Sequence, residues 1–122
     1  MSTSGDVAKR YYDAVAKRDF NTMRSLLADD LEFVGLFETY HGPTQYLNTF
    51  QGLLGITKRL EVKAVIGEGD QAAVFFELET GPPAPATTFV AEWMQIVNGK
   101  IRRVQSAFDG RPFAAMFSGG KA

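Results

Sequence analysis

The N-terminal third of the chain repeats its apolar positions with helical spacing. Val7, Tyr11 and Val15 recur every four residues, which is typical of a helix that buries one face. This periodicity predicts a first helix that ends near Arg18. A second, shorter helix follows and is expected to end at the acidic pair at residues 29–30.

A third helix is predicted from Pro43, which suits the first helical position, to Gly55, which can end a helix. Elsewhere apolar and polar residues alternate, as they do in half-buried strands. The alternating segments lie at residues 31–37, 59–66, 72–79, 88–97 and 101–109. Helices followed by a run of strands indicate the α+β class, with one curved antiparallel sheet over the first helix. We predict a single domain, residues 1–122, with an ordered core at about 6–117.

The strand at residues 88–97 carries one carboxylate, Glu92, in its middle. Val90, Met94 and Ile96 lie on the same face of this strand. An ionised carboxylate among such residues is costly, so its pKa should rise or it should find a partner. Glu92 therefore lies in a cavity, or it lies at a rim or pairs with Arg103 across the hairpin.

The register of this hairpin decides which residues surround Glu92. The Asn98-Gly99 pair is a strong signal for a two-residue turn, which would set Glu92 opposite Gln105. A three-residue turn with a glycine bulge would set it opposite Val104, with Ser106 and Phe108 on its face. Both registers are compatible with the residues.

Composition excludes several classes of function. The net charge is −1 and the basic residues are scattered, so neither nucleic acid nor a membrane is an expected partner. The chain has no cysteine, which excludes disulfides and thiol catalysis. No signal pattern is visible at the N-terminus, so we expect a cytoplasmic protein. Ten of the 122 residues are phenylalanine, a surplus typical of proteins with an apolar cavity or interface.

Three stretches carry a resemblance to a known family: residues 11–30, residues 41–54, which begin with His41-Gly42-Pro43, and residues 93–101, which hold Asn98-Gly99. Together they resemble the nuclear transport factor 2-like superfamily, in its SnoaL-like and ketosteroid-isomerase-like branch. The resemblance covers most of the chain. It implies a cone-shaped sheet wrapped around the N-terminal helices, with a cavity between the sheet and the helices.

The resemblance also implies roles for two residues. Tyr11 matches the tyrosine that donates a hydrogen bond to the developing oxyanion of the isomerases, and Glu92 matches the acid that completes that oxyanion hole. In ketosteroid isomerase this acid stays protonated because its site is apolar, so that it can donate. The carboxylate base of the isomerases would fall at Gly35. A proton-abstracting mechanism of that kind lacks its base here.

Candidates for a replacement base are His41, Asp109 and Glu38. The pocket is expected to be apolar, as small-ligand sites usually are. Its predicted lining is Val15, Phe33, Gly35, Phe37, Phe50, Leu54, Met94, Phe108 and Phe113. One histidine with scattered carboxylates has no ligand spacing, so we expect no metal, and we expect no cofactor.

The opposite face of the central strand carries Phe89, Ala91 and Trp93, and no helix remains to cover it. Such a patch favours a homodimer through the backs of two sheets. The favoured function is a small-molecule pocket protein of the SnoaL-like type, acting as an isomerase, cyclase, hydrolase or dehydratase on a small apolar or cyclic ligand. The alternatives are a non-catalytic binding protein and a dimeric protein-interaction module.

Overall fold

The computed structural model describes residues 3–117. Its helices are α1 (Ser4–Ala16), α2 (Phe20–Ser25), α3 (Pro43–Gly55) and α4 (Ala114–Phe117), with a 3₁₀ turn at Arg111–Phe113 just before α4. Its strands are β1 (Leu27–Val34), β2 (Thr39–His41), β3 (Thr57–Glu68), β4 (Gln71–Thr80), β5 (Ala86–Val97) and β6 (Lys100–Ala107). None of the described helices is long and apolar enough to cross a membrane.

The strands form one curved, open sheet in the order β2-β1-β6-β5-β4-β3. The predicted α+β class with a curved sheet around the helices is confirmed. Neighbouring strands are antiparallel except β1 and β6, which run parallel. This one parallel pair arises because α3 carries the chain from β2 to the far edge of the sheet, from which β3 to β6 return as a meander.

The start of β1 differs from the sequence prediction. Asp29 and Asp30 were expected to end the second helix, but they lie in β1, and the helix ends earlier, at Ser25. The strand takes precedence because Leu27 and Leu31 are both 1% exposed and anchor it in the core. The two aspartates face solvent. Strand β2 was not predicted either, since three residues are too few to show an alternating pattern.

The β5–β6 hairpin combines features of both predicted registers. Asn98 and Gly99 form a two-residue turn with positive φ angles, 53° and 75°, so that Val97 faces Lys100. A bulge then inserts Arg102, and the register shifts between Ile96 and Gln95.

As a result, Glu92 faces Ser106, and both predicted partners, Gln105 and Val104, were wrong. The bulge has a packing cause. Ile101 is 0% and Val104 is 3% exposed, yet residues three apart in a regular strand point to opposite faces. One extra residue lets both side chains enter the core.

Two glycines allow a matched test of the packing between α1 and β3. A Cβ on Gly67 would lie 2.7 Å from the backbone nitrogen of Gly5, whereas a Cβ on Gly52, in α3, would meet nothing within 4 Å. Gly67→Ala should therefore lower the free energy of unfolding, because backbone cannot yield cheaply. Gly52→Ala should raise it by roughly 0.5–1 kcal/mol, because alanine favours the helix.

Urea unfolding of the two variants measures both effects against the wild type. Equal stabilities for Gly67→Ala and the wild type would contradict the close contact between α1 and β3.

Candidate functional site

A cavity lies between the concave face of the sheet, helix α3 and the segments at residues 35–38 and 108–113. It measures about 90 Å³. A single buried water needs roughly 10–15 Å³ of such space, so the cavity has room for several waters or a small ring compound. Most of its lining is apolar, with Glu92 and Ser106 on the strand side.

Glu92 is 6% exposed and lies on the lining of the cavity. Its carboxylate accepts a hydrogen bond from the hydroxyl of Tyr12, and Ser106 on the facing strand is also hydrogen-bonded to it. Burial raises the pKa of Glu92 to about 7, although the bonds from Tyr12 and Ser106 favour the charged form. The predicted alternative of a pair with Arg103 is excluded, because Arg103 contacts Glu32 instead, at 3.1 Å.

The tyrosine that contacts Glu92 is Tyr12 and not Tyr11, the residue that matches the oxyanion-hole tyrosine of the isomerases. The Tyr11 hydroxyl shares a hydrogen bond of 3.0 Å with the hydroxyl of Tyr46, a residue of α3. Both α1 tyrosines are buried, at 2% and 3% exposure, and their rings meet edge to face at 5.2 Å. Consecutive helical residues point about 100° apart. Both can be buried because α1 lies in a concave sheet that covers more than one of its faces.

The three tyrosines remain neutral hydrogen-bonding groups. Burial is the main cause that raises the pKa of Tyr11, Tyr12 and Tyr46, and the nearby Glu92 carboxylate raises each further. Of the three, Tyr46 lines the cavity, while Tyr11 and Tyr12 lie behind the lining. The polar groups beside the cavity thus form two layers. Glu92 and Tyr46 face the cavity, and the two tyrosines of α1 hold them from behind by hydrogen bonds.

Stacked rings form one wall of the cavity. The ring of Tyr46 stacks on Phe33 at 4.3 Å between centroids and on Phe50 at 5.3 Å, with interplanar angles of 19° and 18°. Phe33 comes from β1, and the other two come from α3. This wall is apolar and flat, which suits a ligand with a planar or cyclic body.

The predicted pocket residues divide into two groups. Six of them line the cavity: Phe33, Gly35, Phe37, Phe50, Phe108 and Phe113. Three do not: Val15, Leu54 and Met94 are buried elsewhere in the core, at 0%, 4% and 0% exposure. Their periodicity correctly indicates an inward direction, but it cannot distinguish the filled part of the interior from the open part.

Two of the candidate bases lie outside the cavity lining. His41 is exposed on β2, where the alternation that buries Tyr40 turns the histidine outward. Asp109 is exposed and forms a two-pronged ion pair with Arg111, at 2.9 and 2.6 Å, and these bonds lower its pKa to about 2. Neither is placed to take a proton from a ligand in the cavity.

At the predicted base position, Gly35 lines the cavity but contributes no side chain. Its backbone N–H donates to the Glu38 carbonyl at 3.0 Å, which closes a tight turn. The Glu38 side chain is exposed at the mouth of the same cavity. Within residues 3–117, no three histidine, aspartate or glutamate side chains converge as a metal site would require.

Other lining residues were not assigned to the pocket from the sequence: Tyr40, Tyr46, Phe76, Leu78, Val90 and Ser106. Strand alternation carries the signal for Phe76, Leu78 and Val90, since alternate residues of β4 and β5 share the face of Glu92. One of the two predicted registers places Ser106 on the face of Glu92, and the bulge in β6 brings it directly opposite.

Glu92→Gln replaces the titratable group with a neutral side chain of the same shape. On folding, the pKa of Glu92 rises from 4.5 to about 7, so the free energy of unfolding of the wild type falls as pH rises through this interval. The loss is complete above the folded pKa and amounts to roughly 3 kcal/mol, at about 1.4 kcal/mol per pKa unit. In urea unfolding at each pH, the free energy of unfolding of the variant should equal that of the wild type near pH 4.5 and exceed it above about pH 7.

Tyr12→Phe and Tyr11→Phe serve as a matched pair for this measurement. Tyr12→Phe removes a donor to the charged carboxylate, so the window of falling stability should extend to higher pH. Tyr11→Phe leaves both bonds to Glu92 in place and should not move the window. A shift of the window in Tyr11→Phe but not in Tyr12→Phe would show that Tyr11 is the partner of Glu92.

Comparison with known proteins assigns this chain to a family. A model of the SnoaL-like domain matches residues 8–104. A protein from Kribbella flavida DSM 17836 shares the structure with a TM-score of 0.82, at 22% identity over 93% of both chains. An NTF2-like protein of unknown function from Cytophaga hutchinsonii ATCC 33406 has a TM-score of 0.81 at 18% identity, over 93% of this chain and 96% of that one.

A third structure, also from Kribbella flavida DSM 17836, is provisionally assigned as a ketosteroid isomerase. It has a TM-score of 0.74 at 22% identity, over 87% of this chain and 77% of that one. No curated protein matches the chain. At these identities the similarity shows a shared fold but does not show a shared activity. Since the family model spans most of the chain, this protein belongs to the SnoaL-like domain family and has the nuclear transport factor 2-like fold.

Proposed function

We propose that this protein binds a small neutral ligand, mainly apolar and cyclic, whose oxygen accepts a hydrogen bond from the protonated carboxyl group of Glu92. The observation that carries the proposal is the position of Glu92, buried on the lining of a mainly apolar cavity with a pKa of about 7. A carboxylic acid in such a place can donate its proton to a ligand oxygen, as a carboxylate cannot.

Charge supports a neutral ligand. The described residues that line the cavity include two acids, Glu92 and Glu38, and no lysine, arginine or histidine. An anionic ligand would therefore be buried without a cationic partner, which is costly. An uncharged carbonyl or hydroxyl oxygen avoids that cost, and the aromatic wall accommodates the rest of the ligand.

A catalytic role is compatible with the same site. Glu92 would act as a general acid or as an oxyanion donor in an isomerase, cyclase, hydrolase or dehydratase reaction. Glu38, at the cavity mouth, is the acid on the lining that could supply a base. Tyr11 would then act through Tyr46 and not on the ligand directly. A binding protein without catalysis is the second candidate, favoured by the absence of a side chain at Gly35.

Acetophenone and benzoate are ligands of nearly equal size that differ in charge. We expect acetophenone to raise the melting temperature of the wild type and benzoate to leave it unchanged. Because acetophenone needs protonated Glu92, its dissociation constant should rise about tenfold per pH unit above the folded pKa. Isothermal calorimetry across the pH range measures this dependence.

Glu92→Gln is the control, since its amide can donate at every pH and should bind acetophenone without that pH dependence. Binding of benzoate as tight as that of acetophenone would contradict the proposal. Incubation with a panel of ketones, lactones and epoxides separates the two candidates. Product formation that is lost in Glu92→Gln and Glu38→Gln identifies an enzyme, while turnover of no compound favours a binding protein.

We also propose that the outer face of the sheet packs against a second copy of the chain. This face holds Phe89 and Trp93, at 57% and 39% exposure, and Phe75 stacks on Phe89 at 6.2 Å. The charged groups around it are already paired within the chain, such as Arg59 with Glu77 at 2.7 Å. A face without a large excess of charge can meet an identical face across a two-fold axis.

Phe89→Glu places a charge in the middle of this face. The wild type should behave as a dimer in light scattering at micromolar concentration, and the variant as a monomer. Leu36→Glu is the control, because Leu36 is similarly exposed, at 47%, but lies at the cavity mouth. A monomeric wild type would contradict the proposed dimer and would favour a different protein as the partner of this face.

A further inference from the structure

The exposed residues of the cavity lining are confined to one segment. Among the described residues on the lining, the exposed ones are Leu36, Phe37 and Glu38, and all three lie between β1 and β2. Leu36 is 47% exposed and Phe37 is 41% exposed. The mouth of the cavity therefore has a rim made of two large apolar side chains, and solvent reaches both of them.

The two rim side chains pack on their inner side against the backbone at Gly110. A Cβ added to Gly110 would lie 2.9 Å from the ring of Phe37 and 3.0 Å from a methyl group of Leu36. The two side chains thus rest closely on bare backbone at this glycine. The tight turn closed by the Gly35 N–H and the Glu38 carbonyl holds the segment that carries them. Both side chains nonetheless present apolar surface to solvent.

The surroundings of the rim favour an uncharged occupant. Asp109 and Arg111, which flank Gly110, neutralise each other through their ion pair. Glu38 is the remaining charged side chain of the segment, and it is acidic. The rim therefore offers no cationic group to an anionic headgroup or an acidic peptide. Apolar surface that is continuous with a ligand cavity is best covered by a further part of the ligand itself.

We propose that the ligand has two parts, a small oxygen-bearing ring inside the cavity and an uncharged alkyl or aryl tail that leaves the mouth across Leu36 and Phe37. This inference rests on the proposed function, since the ring is the part that Glu92 binds. The extent of the cavity supports it, because one and the same cavity reaches from Glu92 to Leu36 and Phe37 at its mouth. The tail would remove the two rim side chains from water.

A series of 4-alkylphenols, from phenol to 4-heptylphenol, tests the tail site by calorimetry at a pH where Glu92 is protonated. Each methylene that leaves water should improve the affinity about fourfold. The gain should continue beyond the alkyl length that fills the cavity, because the later methylenes lie over the rim. Leu36→Ser and Phe37→Ser should reduce the gain per methylene for the long phenols, measured in each variant relative to its own affinity for phenol.

Val97→Ser is the matched control, because Val97 is an aliphatic residue exposed to 45% on the β5–β6 hairpin, away from the cavity. It should bind the whole series as the wild type does. Failure of phenol to bind would overturn the proposed function. Binding of phenol with no gain for longer tails, or a gain that Leu36→Ser and Phe37→Ser leave intact, would overturn the tail site alone.

Discussion

The burial of one carboxyl group is the constraint on which the site depends. Glu92 lies among apolar side chains, where an ionised group without partners would be costly. The cost is reduced by the Tyr12 hydroxyl, by Ser106 and by a rise of the pKa to about 7. These contacts require α1 to lie against β5 and β6 to pair with β5 in one particular register. The hydrogen bonds of Glu92 thus depend both on the placement of α1 and on the register of the β5–β6 hairpin.

The bulge at Arg102 shows how packing elsewhere decides the chemistry of the pocket. It is accounted for by two buried side chains, Ile101 and Val104, which could not both enter the core from a regular strand. The same extra residue brings Ser106 opposite Glu92. A hydrogen-bonding group of the cavity is therefore a consequence of how the core is filled near the turn, at a distance of several residues along β6.

Membership in the SnoaL-like family gives this chain its scaffold, and the lining of the cavity decides what the scaffold can do. Its polar groups include tyrosines, threonines, a serine and Glu92, an acid that is easily protonated, and its mouth carries Leu36 and Phe37 beside Glu38. With a glycine where the resemblance to the isomerases places the base, the proposed role is to hold and polarise a neutral oxygen and not to abstract a proton. That distinction belongs to individual side chains and not to the fold.

The sequence by itself determined the α+β class and the strand face that Glu92 shares with Val90, Met94 and Ile96, and it named six of the residues that line the cavity. The class and the shared strand face follow from local periodicity, which survives folding because each face must be buried. Only the tertiary structure decided that Tyr12 and not Tyr11 contacts Glu92, that His41 and Asp109 lie outside the cavity, and that Ser106 faces the acid. Each of these depends on how distant elements are rotated and aligned against one another, which no short stretch of sequence encodes.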